Sequence, residues 1–101
     1  MTEESIQEKE SISMPHETTI MNACKLAISE DRPIMLDYWN QSNNSECFIG
    51  VRENDEKLLV KNEDEYTSPI SKIYKINNEY ILTTENSIYI VHKNIDTKRI
   101  A

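Results

Sequence analysis

The feature that most constrains the fold is a group of three apolar segments in the last third of the chain. Residues 70–76, 79–84 and 87–92 are rich in β-branched and aromatic side chains, which favour strands. The breaks between them, Asn77-Asn78 and Glu85-Asn86, have the length of hairpin turns. Asparagine tolerates the positive φ that such turns require, and the chain has only one glycine. The pattern predicts a three-stranded antiparallel meander with a positive-φ residue in each turn.

A helical period precedes this sheet pattern. In the segment 16–31, Ile20, Cys24, Ala27 and Ile28 fall on one apolar stripe of a helix. The residue before a proline avoids the helical conformation, so Pro33 sets the C-terminal limit of the helix. We therefore predict one amphipathic N-terminal helix over residues 16–31, with this stripe in the core.

In the middle of the chain, the hydrophobic pattern has the period of two that is typical of strands. Residues 34–39 read as a first strand and residues 40–45 as a polar loop, after which two further short strands meet at Asn54-Asp55. A helix followed by five or six antiparallel strands closes economically as a barrel, because closure removes exposed strand edges. We predict a mainly β fold with one N-terminal α-helix, as a small SH3-like or Sm-like antiparallel barrel or a curled sheet with the helix across one face.

The chain has room for one domain, which we place at residues 14–101. Residues 1–13 are acidic and poor in bulky apolar groups, so they predict a disordered tail. No apolar run approaches the roughly 20 residues that span a bilayer, and the acidic start lacks the features of a signal peptide. We expect a protein of the cytoplasm or nucleus of a cell, or of a virion, that is not secreted.

The charge pattern narrows the choice of partners. The net charge of −7 argues against a protein that binds nucleic acid through phosphate contacts. Residues 69–101 differ from the rest, because five basic and three acidic residues give them a charge of +2. We expect the partner to be another protein, of a host or a virion, with neither nucleic acid nor membrane as a ligand. Homo-oligomerisation stays open.

Residues that carry catalytic or metal chemistry are scattered. His16, Cys24, Cys47 and His92 stand singly, without the close pairs that zinc sites use. Both cysteines are expected to be small core residues. Hydrolase motifs, kinase motifs and phosphate-binding glycine loops do not occur. The sequence predicts no enzyme, no cofactor and no metal site.

The candidate interaction residues are one carboxylate and six aromatic side chains. Asp37 stands in an otherwise apolar segment, beside the only tryptophan of the chain. The meander has more tyrosines than one barrel interior needs, so some are expected at an exposed interface. The predicted set is Asp37, Tyr38, Trp39, Tyr66, Tyr74, Tyr80 and Tyr89.

Three segments, residues 33–39, 63–70 and 84–91, resemble small uncharacterised proteins of large double-stranded DNA viruses. The similarity covers residues 33–95. It implies a viral setting, in which small barrels serve as virion components or host-directed binders, and it carries no catalytic or binding role for any residue.

These observations favour a non-catalytic protein-interaction module, viral in origin. A first alternative is an acidic inhibitor that blocks a basic, nucleic-acid-binding surface of a host enzyme. A second is an Sm-like or SH3-like RNA-binding protein that acts as an oligomer through the basic C-terminal third. The sequence does not choose among the three.

Overall fold

The fold was analysed in a computed structural model that describes residues 13–100. It contains a long helix α1 (Glu17–Glu30), a short helix α2 (Trp39–Asn43) and eight strands. The strands are β1 (Ile34–Met35), β2 (Phe48–Val51), β3 (Lys57–Asn62), β4 (Glu65–Tyr66), β5 (Ile70–Ile76), β6 (Glu79–Thr84), β7 (Ile88–His92) and β8 (Asp96–Arg99). The predicted mainly β fold with an N-terminal helix is confirmed. The described residues contain a second, short helix and eight strands in place of the predicted five or six, and two of the strand pairs are parallel, which the antiparallel prediction missed. The tail predicted for residues 1–13 lies outside the described residues, apart from Ser13.

The strands form two four-stranded sheets. Sheet A has the order β1-β7-β6-β5 and sheet B the order β4-β3-β2-β8. In sheet A, β5, β6 and β7 form the predicted antiparallel meander, and β1 pairs with β7 in parallel. In sheet B, β8 lies parallel to β2. Within residues 13–100 no strand pairing joins the two sheets, so they do not close into a barrel. The alternative prediction of a curled sheet with the helix across one face fits this arrangement, and the SH3-like or Sm-like assignment stays a prediction.

Sheet A is the middle of three layers, with α1 on one face and sheet B on the other. The cluster on the α1 side consists of Ala23, Trp39, Ile81, Ile88 and Ile90. The cluster between the sheets consists of Tyr38, Cys47, Ile49, Leu59, Leu82, Val91 and Ile95. Neighbouring residues of a strand point to opposite faces, and accordingly Ile81 and Leu82 belong to different clusters. The central strands β6 and β7 are therefore apolar on both faces.

Helix α1 lies over β6 and β7 and is tied to both ends of β6. The backbone N–H of His16 donates to the carboxylate of Glu79, the first residue of β6, at 3.0 and 3.1 Å. At the other end, the Arg32 guanidinium donates to the carbonyl of Thr84, the last residue of β6, at 2.8 Å. The lengths agree, since a 14-residue helix and a six-residue strand are each about 20 Å long.

The face that α1 buries differs from the predicted stripe. The buried residues are Thr19 and Ala23, whereas Ile28 is 84% exposed and Cys24 is exposed. The predicted stripe is therefore wrong at Cys24 and Ile28, and Ile20 is half-buried, whereas the fourth member of the stripe, Ala27, packs against the α1-side cluster. The buried face is rotated by about 100° from the predicted one. Ala23 is fully buried and small enough to let the helix approach the sheet closely.

The segment after Pro33 leaves the strand conformation earlier than predicted. Strand β1 ends at Met35, and Trp39 begins α2. The predicted strand over residues 34–39 is therefore right only at residues 34–35, and the predicted loop over residues 40–45 is wrong over residues 40–43, which are helical. The turn allows the Trp39 ring to enter the core, where its Nε1–H donates to the Ser13 carbonyl at 3.1 Å. The Ser42 hydroxyl of α2 accepts from the backbone N–H of His92 at 3.0 Å, which fixes α2 to β7.

The two turns of the meander are built differently. Asn77 has a φ of 54°, as the hairpin pattern predicts. Neither Glu85 nor Asn86 has a positive φ, so the prediction for the second turn is wrong. There the hydroxyl of Thr84 accepts from the backbone N–H groups of Asn86 and Ser87, at 3.2 and 3.1 Å. This side chain supplies the turn hydrogen bonds, and no left-handed residue is needed.

Candidate functional site

The seven predicted interaction residues do not lie on one surface. Tyr38 and Trp39 are each only 5% exposed, so their rings belong to the core and not to a binding groove. Tyr66 on β4 is 54% exposed. The meander tyrosines separate between the two faces of sheet A: Tyr74 packs on the α1 side, and Tyr80 and Tyr89 pack against the cluster between the sheets.

Asp37 has a structural partner. Its carboxylate lies 3.7 Å from the Lys61 ammonium of β3, which is also 3.9 Å from the carboxylate of Glu65. The same ammonium stands 4.7 Å from the centre of the Tyr38 ring, and Tyr38 meets Tyr89 edge to face at 5.6 Å. The network joins β3 to the segment after β1 and explains the presence of an acid in this otherwise apolar stretch.

The buried groups beside this network stay protonated at neutral pH. Burial raises the pKa of Tyr38 to about 12, helped by the negative charge of Asp37. Burial also raises the pKa of the Cys47 thiol to about 11, although Lys61 acts in the opposite direction. The prediction of a core position is confirmed for Cys47 and wrong for Cys24, which is exposed. A thiol with a raised pKa is a poor nucleophile, so Cys47 fills space.

Both histidines are engaged in turns. The Nδ1 atom of His16 accepts from the N–H of Thr18 at 3.0 Å and caps α1, and Nδ1 of His92 accepts from the N–H of Asn94 at 3.2 Å. Within residues 13–100, no group of three or more histidine, cysteine, aspartate or glutamate side chains is arranged to hold a metal ion.

Two clusters of acidic residues flank β3. Glu53, Asp55 and Glu56 lie in the turn before β3, and Glu63, Asp64 and Glu65 follow it, in the turn and at the start of β4. Strand β3 has six residues, which places the two turns about 20 Å apart. The acids therefore stand at opposite ends of a strand.

A groove of about 700 Å³ lies between α1 and β5. It is lined by Asn22, Lys25, Leu26 and Ser29 of α1, by Ile73, Tyr74, Lys75 and Ile76 of β5, and by Ile81 of β6. We call it the α1–β5 groove. Most of its lining surface is apolar, and Ile73 is 44% exposed. Sequence analysis missed this site, because its two walls lie about fifty positions apart in the chain. The one indication in the sequence was the pattern of β5, in which Lys72 and Lys75 stand between apolar residues.

One wall of the groove is an open strand edge. Strand β5 pairs only with β6, and in the described part of the chain its backbone makes no hydrogen bond outside that ladder. Tyr74 and Ile76 face α1 and line the groove together with Ile81, whereas Ile73 and Lys75 point to the other face of the sheet and border it from the edge strand. The groove therefore adjoins the free backbone N–H and C=O groups of β5.

This edge is longer than the other sheet edges among the described strands. β5 has seven residues, whereas the edge strands β1 and β4 have two each and β8 has four. A short edge offers few hydrogen bonds to a partner, and a long edge offers a template for an added strand.

The groove is basic, in a chain whose net charge is −7. Lys25 and Lys75 border it, and Lys72 lies on the same strand. Within residues 13–100 none of these three lysines forms an ion pair with a carboxylate. Glu30 pairs with Arg32 at 3.1 Å, and Glu79 is 8% exposed and accepts from His16. Asp55 and Glu56, which line a concave surface together with Lys72, pair with Arg99 and Arg52.

A second concave surface lies on the outer face of sheet B and has a volume of about 450 Å³. Its apolar lining consists of Phe48, Leu58, Val60, Tyr66 and Ile100. The chain itself covers part of it, since a Cβ atom added at Gly50 would lie 2.8 Å from Cδ1 of Ile100. This surface offers side chains, whereas the α1–β5 groove also offers backbone groups.

None of the helices described over residues 13–100 combines the length and the apolar character needed to cross a membrane. Comparison of the chain with protein-family models, with curated proteins and with solved structures finds no match. The resemblance to viral proteins stays a prediction, and a functional assignment depends on the geometry of the chain itself.

Proposed function

We propose that this protein is a non-catalytic protein-binding module and that the α1–β5 groove is its binding surface. The observation that carries the proposal is the seven-residue open edge of β5 beside an apolar, lysine-bordered groove. A strand edge and apolar side chains together offer a partner both hydrogen bonds and buried area.

The groove is formed before any partner arrives. The bonds from His16 to Glu79 and from Arg32 to Thr84 hold both ends of α1 against β6. The opposite wall, β5, pairs with β6 at Ile70 and continuously over residues 72–76. Both walls are thus anchored to one central strand. Preorganisation of this kind reduces the entropy that is lost on binding.

The two alternative functions receive less support from the geometry. An acidic inhibitor needs a continuous acidic surface, and the two clusters in the turns around β3 lie about 20 Å apart. An RNA-binding protein needs basic residues that track a phosphate backbone. Of the basic residues in the C-terminal third, Lys72 and Lys75 lie on sheet A, whereas Lys98 and Arg99 lie on sheet B.

Site-specific photocrosslinking tests the proposal. A benzophenone amino acid is placed at Ile73, on the exposed edge of the groove, in the full chain expressed where the protein is naturally made. The matched control places it at Ile28, which is 84% exposed on α1. We expect a defined protein adduct from position 73 that position 28 does not give.

A third variant, with the crosslinker at Tyr66, reports on the outer face of sheet B. Adducts from Tyr66 alone would move the binding surface to sheet B, and identical products from all three positions would indicate random collision. Either result contradicts the proposal. Thermal unfolding of each variant confirms that the fold is retained.

A further inference from the structure

We infer that the α1–β5 groove binds an acidic segment of a partner protein in an extended conformation, which joins sheet A as an additional strand beside β5. This inference rests on the proposed function and specifies how the groove binds and what it binds. It follows from three properties of β5: its free backbone, its distribution of lysines and its position beside α1.

The backbone of β5 favours an extended ligand. The strand has one irregularity, between Ile70 and Lys72, and is regular over residues 72–76. These five residues span about 17 Å, enough for an added strand of similar length. An amphipathic helix laid in the groove would keep water from the β5 edge without pairing its N–H and C=O groups, which costs free energy. A strand pairs them.

The side chains of β5 select acidic sequences that also contain apolar residues. The register with β6 places Lys72, Tyr74 and Ile76 on the α1 side, and Ile73 and Lys75 on the other side. Each face of β5 thus carries a lysine together with apolar groups. A neighbouring strand is stabilised by opposite charges and apolar contacts across the pair. The matching segment carries both acidic and apolar residues on each of its faces.

A second copy of this chain is a poor occupant. Pairing of β5 with β5 would bring the lysines of one strand beside those of the other, and like charges across a strand pair are destabilising. Edge lysines are a common protection against such self-association. The same lysines attract an acidic strand, and Lys25 of α1 adds a further positive charge at the groove.

The test uses a fluorescein-labelled peptide with the sequence Val-Val-Glu-Glu-Val-Val-Glu-Glu, which puts valine and glutamate on both faces of a strand. Its control is the peptide with lysine in place of each glutamate. Fluorescence anisotropy with the full chain is expected to show binding of the glutamate peptide only, with an affinity that falls as salt is added. The variant Lys75→Glu should weaken binding by about tenfold or more, whereas Lys98→Glu on β8, the matched change of charge, should not.

Amide hydrogen exchange gives the readout that is specific for strand addition. The backbone amides of residues 71–76 that point away from β6 should become protected when the glutamate peptide binds. Binding without this protection would overturn strand addition and leave the protein-binding module intact. Absence of binding at millimolar peptide, or equal binding to Lys75→Glu and the unmodified chain, would overturn the inference. The crosslinks from Ile73 test the proposed function independently.

Discussion

Sheets A and B each have four strands, yet they are buried in different ways. The central strands of sheet A are covered on both faces, by α1 and by sheet B. The central strands of sheet B pack one face against sheet A and turn the other toward the concave outer surface that includes Phe48 and Tyr66. A sheet covered on both faces can meet a partner only at an edge, through its backbone. A sheet covered on one face can do so through side chains, and this difference points to β5 as the distinctive binding element.

The largest expected effect comes from matched leucine truncations in the two sheets. Leu82 of β6 is fully buried between the sheets, and Leu58 of β3 is buried under the outer surface of sheet B. Leu82→Ala should lower the free energy of unfolding by about 4 kcal/mol, because the cavity has no route to collapse. Leu58→Ala should cost about 2 kcal/mol, since Ile100 and solvent can fill the space. Urea unfolding measures both. Equal losses would contradict the difference in burial between the sheets.

The second prediction concerns the free energy of unfolding at high pH, which depends on Tyr38 at the junction between the sheets. The pKa of Tyr38 is about 12 in the folded protein and 10.0 without the fold. The folded state keeps this proton longer, so the stability that neutral Tyr38 contributes is fully present below pH 10 and is lost as the pH rises to 12. The loss approaches about 2.7 kcal/mol for a pKa difference of two.

Stability measured from pH 9 to pH 12 should fall less steeply in Tyr38→Phe than in the unmodified chain. Tyr66→Phe serves as the control, because Tyr66 is exposed at the edge of sheet B. Cys47 contributes a loss of the same sign, with a pKa raised from 9.0 to about 11, and it is unchanged in both variants. Parallel pH profiles for all three proteins would show that Tyr38 is not buried at this junction.

The smallest expected effect compares the two hairpins. Asn77 in sheet A and Asp55 in sheet B have φ values of 54° and 65°, a conformation in which a β-branched side chain clashes with the backbone. Asn77→Val and Asp55→Val should each cost about 1–2 kcal/mol. Asn78→Val is the control, because Asn78 does not have a positive φ, and it should cost less than about 0.5 kcal/mol. Thermal unfolding measures the loss of stability in each variant. A larger loss for Asn78→Val than for Asn77→Val would contradict the prediction.

The candidate site shows where prediction from the sequence stopped. The alternation in β5 was visible, and so were Lys72 and Lys75, but nothing local indicated that this strand ends at a sheet edge. Whether a strand lies at an edge depends on which strands pair with each other. Strand β1 is part of sheet A and β8 is part of sheet B through parallel pairings, which no hairpin pattern in the sequence indicates. The predicted aromatic groove failed for a related reason, since the turn after Met35 carries Trp39 into the core.

The sequence by itself determined the meander, a positive φ in the Asn77-Asn78 turn and the approximate limits of α1, because dihedral preferences and periodicity depend on near neighbours in the chain. Only the tertiary structure decided which face of α1 is buried and where the groove lies. Bonds between residues about fifty or more positions apart, His16 with Glu79 and Arg32 with Thr84, hold the two ends of the helix against β6. Packing on the sheet buries Ala23 in place of Cys24, because the burial and hydrogen bonding of the whole domain outweigh the local apolar stripe. The position of α1 over β6 and β7 leaves the groove beside β5.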